Sequence, residues 1–344
     1  MSTRHVVRTL VIAAVAVALL TLFLQNVDLR GVLGEMVQAQ PQWLLLSLAT
    51  MPLNLVLRAW RWQYLLAPLG GATFDNVFRA TAVGFAASSV LPARAGEVIR
   101  PYFLARRAQL SATGAFATVV LERVLDTLTV LVLLATYVWV FGRELESTNP
   151  VALAAMTWAG VAAGLGVLGA LVVFFVLSGD PTGVGRSLDR LGRVLPSKVA
   201  SLAAGVAERF VTGLGAVRRP RRLIVALLLS LPLWLCICLG AWAAARAFQL
   251  MVPFTGSFLL VAMLVIGVAV PTPGAVGGFH EAFRVAVTTF FGAPNQAAVG
   301  AAIVLHVFSI GPHLLIGLLY AAQEGLNFSR MRQLADGPQQ EEGV

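Results

Sequence analysis

Apolar runs close to the ~20 residues a helix needs to cross a bilayer recur six times in this chain, at roughly 8–25, 41–57, 114–141, 151–177, 223–245 and 296–320. Inside hydrocarbon each backbone N–H and C=O has to be satisfied within its own segment, so runs of this length read as helices. Of the 344 residues, 58% are hydrophobic and 12% are charged, which excludes an ordinary soluble core. The sequence predicts an all-α polytopic membrane protein.

Arg4, His5 and Arg8 precede the first run, as in a signal peptide. That run is longer than a usual h-region and no small-x-small cleavage site closes it, which favours an uncleaved span. Cys236 and Cys238, two apart on one predicted helix, point to different sides and cannot bridge locally, so they read as packing residues. The net charge of +9 matters through its distribution. With a cytoplasmic N-terminus, segments 1–8, 58–107, 178–222 and 321–344 lie inside and hold 20 of the 25 Lys and Arg residues. This is the positive-inside bias of an inner-membrane protein with both termini cytoplasmic. Nucleic acid is not needed to explain the basicity, and there is no soluble basic domain to bind one.

Two regions do not fit the six spans. Residues 75–107 contain FRATAVGFAASSVLPARAGEVIRPYFLARR, whose apolar part is short and flanked by polar residues. Residues 256–292 contain PTPGAVGGFHEAFR between apolar arms of about 15 and 14 residues. Each reads as a re-entrant helical hairpin that enters and leaves on one side, the first with its tip at Pro92 and Gly96, the second at Pro271, Pro273, Gly274, Gly277 and Gly278. Irregular backbone at membrane depth is tolerated only where protein or a wet cavity satisfies it. On the charge-derived topology the first hairpin enters from the cytoplasm and the second from outside. Span–hairpin–span units at about 41–141 and 223–320 then have opposite orientation, and the span at 151–177 supplies the inversion, the layout of an inverted-repeat transporter. A weak echo accompanies it, with Pro92, Gly96, Glu97 and Arg100 set against Pro273, Gly277, Glu281 and Arg284.

The segment 178–222 carries apolar residues every three or four positions from Val184 to Val217, with Arg186, Arg190, Arg193 and Lys198 off that stripe. Two readings stand: a helix lying on the anionic inner surface, or a connector packed on the bundle. The tail 326–344 reads as disordered.

Enzyme motifs are absent. A P-loop needs a Lys after its glycines, and the single lysine, Lys198, follows Leu-Pro-Ser. No Cys/His cluster offers a metal site, and His306 and His313, seven apart on one helix face, have no obvious third ligand. The expectation is a non-enzymatic protein with no cofactor and no metal.

Ionisable residues within apolar sequence are the candidates for function. Glu122 and Asp126 are four apart on one helix face, with Arg123 between them. Asp126 would lie ~18 Å along a helix entering near Gly114, close to the middle of the bilayer. A charge there costs at least ~2.5–3.5 kcal/mol on insertion scales, so it should face protein and find partners, among them Arg94, Glu97 and Arg100 of the hairpin. Arg123 and Asp126 satisfying only each other is the competing structural reading. Asn54, Arg58 and Arg61 form a polar stripe interleaved with Trp60, Trp62 and Tyr64. That stripe is either an interfacial anchor with snorkelling arginines or a place to hold a phosphate, for which the guanidinium fork is well shaped.

The segments LPARAGEVIRPYFLARR, ATVVLERVLD and PTPGAVGG together resemble the transmembrane region of lysylphosphatidylglycerol synthases, a flippase-like membrane domain, over roughly 8–325. The resemblance implies movement of a polar-headgroup lipid between leaflets: a phospholipid, an aminoacylated phospholipid or a polyprenyl-phosphate-linked lipid. The soluble aminoacyl-transfer domain of the bifunctional synthases is not seen after Leu334, so transport is expected rather than synthesis. The first-hairpin motif falls on Pro92, Arg94, Gly96, Glu97 and Arg100, and the span motif on Glu122, Arg123 and Asp126. In the second hairpin the family pattern would place its acid at His280, whereas this chain has Glu281, and either inherits the role.

These readings converge on one membrane domain over 1–325 and a lipid flippase working by alternating access. Arg94, Arg100 and Arg123 would contact a lipid phosphate, with Glu97, Glu122 and Asp126 holding those arginines or taking protons. Arg58, Arg61, His280, Glu281 and Arg284 complete the candidate substrate-binding set. A proton-coupled carrier of a small solute, and a non-transporting partner of a lipid- or glycan-synthesising enzyme, are the alternatives.

Overall fold

A computed structural model of the chain describes residue 21, residues 28–91, 94–180, 182, 184, 197–269 and 272–324. Eleven α-helices lie among them: α1 Leu29–Gln38, α2 Pro41–Leu66, α3 Phe74–Val90, α4 Gly96–Ala108, α5 Ala112–Thr148, α6 Pro150–Leu177, α7 Ser197–Gly213, α8 Pro220–Ala247, α9 Gly256–Ala269, α10 Gly278–Phe291 and α11 Asn295–Gln323. The run at 8–25, the tips Pro92 and Pro271, residues 185–196 of the connector and the tail lie outside the described residues.

Among the described residues five helices are long and apolar enough to cross a membrane: α2, α5, α6, α8 and α11. They match five of the six expected spans. Local chemistry sets their starts. Proline occupies the first turn of α2, α6 and α8, where the missing N–H costs nothing. Ser111 caps α5 through the Gly114 N–H at 3.2 Å, and Asn149, the lone residue between α5 and α6, caps α6 through the Ala152 N–H at 3.1 Å. Along α6 only Val167 is buried, so this helix lies at the periphery of the bundle.

Four of the six shorter helices form two antiparallel pairs, α3 with α4 and α9 with α10. The 14 residues of α9 rise only ~21 Å, less than the hydrocarbon thickness. The pairs open toward opposite ends of the bundle. At one end Phe78, early in α3, meets Tyr320, late in α11, with 6.0 Å between ring centroids, and Arg79 and Arg107 both pair with Glu324. At the other end Phe291, closing α10, meets Tyr137 of α5 at 6.4 Å. Between these ends Arg94, just ahead of α4, donates through Nη2 to the carbonyl of Val268, late in α9, at 2.6 Å.

Each pair is closed by a glycine contact. A Cβ on Gly96 would sit 1.8 Å from the Gly84 carbonyl oxygen, and one on Gly267 would sit 2.3 Å from the Gly278 carbonyl oxygen. These contacts make Gly96 the counterpart of Gly278, since each is also the first residue of its helix. The sequence echo, which set Gly96 against Gly277 and Glu97 against Glu281, is therefore out of register. Glu97 corresponds to Phe279, and Arg100 to Ala282.

Helices α2 and α8 cross at the centre through small and polar residues. Ser47 Oγ donates to the Gly240 carbonyl at 2.9 Å, and Asn54 Nδ2 to the Leu233 carbonyl at 3.2 Å. Such contacts are what allow helices to associate where lipid is as apolar as they are. Cys236 and Cys238 are free and buried in this packing. Helix α7 lies against α5, with Ala204 and Val211 buried and Leu202 exposed, so the described part of the connector packs on the bundle.

Candidate functional site

The charged residues of α2, α4 and α5 converge in the interior. Arg61, with no exposed surface, donates through Nη1 to Asp126 Oδ1 at 2.6 Å and to Ser230 Oγ at 2.7 Å, and through Nη2 to Glu122 Oε1 at 3.3 Å. Asp126 Oδ1 also accepts from Trp234 Nε1 at 2.9 Å. Arg100 Nη1 donates to Glu122 Oε2 at 2.9 Å, its guanidinium lying 3.7 Å over the Trp62 ring, whose Nε1 is held by Thr118 Oγ1. Gly84 leaves room for this arrangement, since a Cβ there would come within 2.6 Å of Arg100 Cβ.

The stripe on α2 is thereby resolved. Arg58 and Arg61 are not snorkelling anchors. Both are buried, and Arg58 Nε donates to Asn54 Oδ1 at 3.1 Å while its Nη1 lies 3.6 Å from Asp126 Oδ2. Trp60 alone faces outward, and Trp62 is fully buried. Arg123 and Asp126 do not form a closed pair either. They are 3.6 Å apart, and the close partner of Asp126 is Arg61.

A cavity of about 470 Å³ lies beside this network. Arg58, Arg94, Glu97, Arg100, Arg123 and Asp126 are among its lining, and Val261, Leu264, Val265, Leu305 and Ile310 supply apolar surface. Arg94, Glu97 and Arg123 are the more open members, with side chains 40%, 33% and 36% exposed, and their ion pairs are long, Arg94–Glu97 at 3.9 Å and Arg123–Glu97 at 3.8 Å. Arg61 and Glu122 stand behind the wall and do not line the cavity.

The second hairpin contributes differently from its sequence expectation. Glu281 and Arg284 pair with each other on α10, Arg284 Nη1 also donating to Asn295 Oδ1 at 3.2 Å, and neither lines the cavity. The two-residue shift of register places Phe279, not the acid, at the cavity wall. His280 Nδ1 accepts from the Gly277 N–H at 3.3 Å, within the tip. Its ring lies 4.3 Å from that of His306, which hydrogen-bonds the Gly274 carbonyl through Nε2 at 2.7 Å. His306 and His313 of α11 do line the cavity. Sequence reading weighed this pair only as metal ligands, and among the described residues no three His, Cys, Asp or Glu side chains gather as a metal site. Trp234, Ser230 and Phe85 were also missed, being neutral residues in apolar runs. The i, i+4 placement of Ser230 and Trp234 within a span was the one available signal.

The fold and this cavity define a polytopic helical membrane protein with an arginine-rich cavity lined by its bundle. The chain belongs to the lysylphosphatidylglycerol synthase TM region family, whose model matches residues 7–317. Among curated proteins it is similar to Glycosyltransferase AglD of Haloferax volcanii, 29% identical over 330 residues, which is 88% of this chain and 51% of that protein. It is also similar to UPF0104 membrane protein MJ1595 of Methanocaldococcus jannaschii, 30% identical over 104 residues, 29% of this chain and 31% of that protein. The chain thus spans about half the length of the first relative and less of the second.

Proposed function

We propose that this chain is a lipid carrier, not an enzyme, that moves a polar-headgroup lipid between leaflets of the inner membrane by alternating access. The observation that carries this reading is a cavity lined by both guanidinium groups and aliphatic side chains, beside the Arg94–Val268 contact that joins the two helix pairs. A headgroup needs the first kind of lining and the root of an acyl or prenyl chain tolerates the second.

The packing supports an inverted repeat. The sequence of contacts α2–α3, α3–α4, α4–α5, α3–α11, α2–α11 and α2–α5 has a counterpart in α8–α9, α9–α10, α10–α11, α9–α5, α8–α5 and α8–α11, with α2–α8 at the axis. The correspondence extends further than the sequence suggested. Helix α1 packs on α11 as α7 packs on α5, so each unit includes the helix that precedes its first long span. The 20-of-25 charge bias then puts α7, the mouth of the first hairpin and both termini in the cytoplasm.

The experiment is leaflet exchange of tail-labelled lipids by the purified chain in vesicles, without ATP. Exchange no faster than in protein-free vesicles, for every lipid tried, rejects the carrier. The second reading, a membrane partner of a lipid- or glycan-synthesising enzyme, draws on the relative named as a glycosyltransferase, which is about twice as long as the matched region. Co-purification with a synthase together with no exchange would favour it.

A further inference from the structure

The charges around the chamber do not balance. In its buried layer Arg58, Arg61 and Arg100 face only Glu122 and Asp126, and in its open layer Arg94 and Arg123 share Glu97 through contacts of 3.8 Å or longer. The cluster as built is left with an excess of two positive charges. Arg61 takes the closest contact of Asp126, at 2.6 Å, and a second, longer one to Glu122 while standing outside the chamber, so the excess falls on the arginines that line it. Arg100 shows this directly. Only 3% exposed, it spends Nη1 on Glu122, and its Nε and Nη2 are buried with no hydrogen-bond acceptor. Charge at membrane depth is expensive unless it is paired, and unpaired guanidinium donors in a fixed plane are complementary to phosphate oxygens.

We propose that the chamber selects lipids whose headgroup is net anionic at a phosphate, such as a phosphodiester with an uncharged head or a polyprenyl phosphate, and rejects lipids whose phosphate is outweighed by ammonium groups. This rests on the lipid-carrier reading and narrows it. A lysyl ester of phosphatidylglycerol carries two ammonium groups against one phosphate and would add charge of the sign already in excess. The chain would then handle the anionic precursor type of lipid and not the aminoacylated type in its family's name.

Binding and exchange are tested separately. For binding, the thermal midpoint of the full chain in uncharged detergent is followed with short-chain phosphatidylglycerol, its lysyl ester, or inorganic phosphate. The anionic lipid should raise the midpoint and the lysyl ester should not; equal shifts overturn the proposal whether or not any lipid is transported. Stabilisation by inorganic phosphate alone, with uptake of phosphate into vesicles and no lipid exchange, keeps the anion site and overturns the carrier of lipids. For exchange, phosphatidylglycerol and polyprenyl phosphate should move roughly tenfold faster than the lysyl ester. Arg123→Glu, at a half-open position whose loss leaves the buried layer intact, should cancel the excess charge and remove that preference. A variant that still prefers the anionic lipid, or a native chain that moves the lysyl ester as fast, sinks the proposal.

Discussion

Arg94 Nη2 donates to the Val268 carbonyl at 2.6 Å, joining the tip of one hairpin to the end of an arm of the other. The last four carbonyls of a helix have no intrahelical partner, so the guanidinium caps α9 from the opposite half of the molecule. Arg94 holds a left-handed backbone, φ 53°, which a non-glycine residue keeps only where its surroundings fix it.

If transport requires the halves to rock, this contact has to break in each cycle. Cysteines at Arg94 and Val268, in a chain with Cys236 and Cys238 replaced by alanine, should be joined by a short bifunctional thiol reagent. Exchange should then stop and return on reduction. Exchange undiminished by a complete crosslink would mean that the tips stay together throughout the cycle.

The glycine contacts predict a sharp difference between positions. Gly96→Ala drives a methyl into the Gly84 carbonyl and should cost ~1–3 kcal/mol or more, as overpacking does. Gly160→Ala and Gly166→Ala on α6 meet nothing within 4 Å, and gain up to ~1 kcal/mol in helix propensity. Thermal unfolding in detergent would separate them. A Gly96→Ala chain as stable as the α6 variants would disprove the close crossing of α3 and α4.

The sequence made the bilayer-length helices and the two broken hairpins legible because length and proline or glycine content are one-dimensional signals. It also marked Glu122, Arg123 and Asp126, since charge inside an apolar run is conspicuous. Arg58 and Arg61 stayed ambiguous because an arginine near a helix end serves an interface as well as an interior, and only burial distinguishes the two. The echo between Glu97 and Glu281 failed for a geometric reason. Register is set by where backbones touch, Gly84 on Gly96 and Gly267 on Gly278, and a two-residue shift on a helix turns a side chain by about 200°, to the opposite face. Trp234 and Ser230 were missed, and His306 and His313 were weighed only as metal ligands, because neutral groups cost little in such runs and their partners come from distant segments.

Opposed hairpins should be visible to a membrane-impermeant thiol reagent. Arg106→Cys, at the mouth of the first hairpin, should label from the cytoplasmic side. Met251→Cys, before the second hairpin, and Glu146→Cys, late in α5, should label from the other side; all three positions are exposed. Labelling of residues 106 and 251 from one side would end the inverted arrangement.

The last prediction divides the arginines that build the chamber from those that use it. Arg61 holds both buried carboxylates and touches no part of the cavity. Arg61→Met should strand Glu122 and Asp126 and cost ~3–5 kcal/mol, the usual penalty for a buried charge that loses its partner. Replacing Asp126 at the same time, Arg61→Met with Asp126→Leu, should recover part of that loss, because one of the two stranded carboxylates is gone. Arg123 is more than a third exposed and its ion pairs are 3.6 and 3.8 Å long, so Arg123→Gln should change stability by less than ~1 kcal/mol. Its exchange rate should nevertheless fall, and Arg123→Lys should restore it only in part, since an ammonium cannot reproduce a two-pronged guanidinium contact. Thermal midpoints and exchange rates measured on the same preparations would decide. A stable Arg61→Met chain would show that the buried carboxylates find other partners, and an Arg123→Gln chain with native exchange would remove Arg123 from the substrate's path.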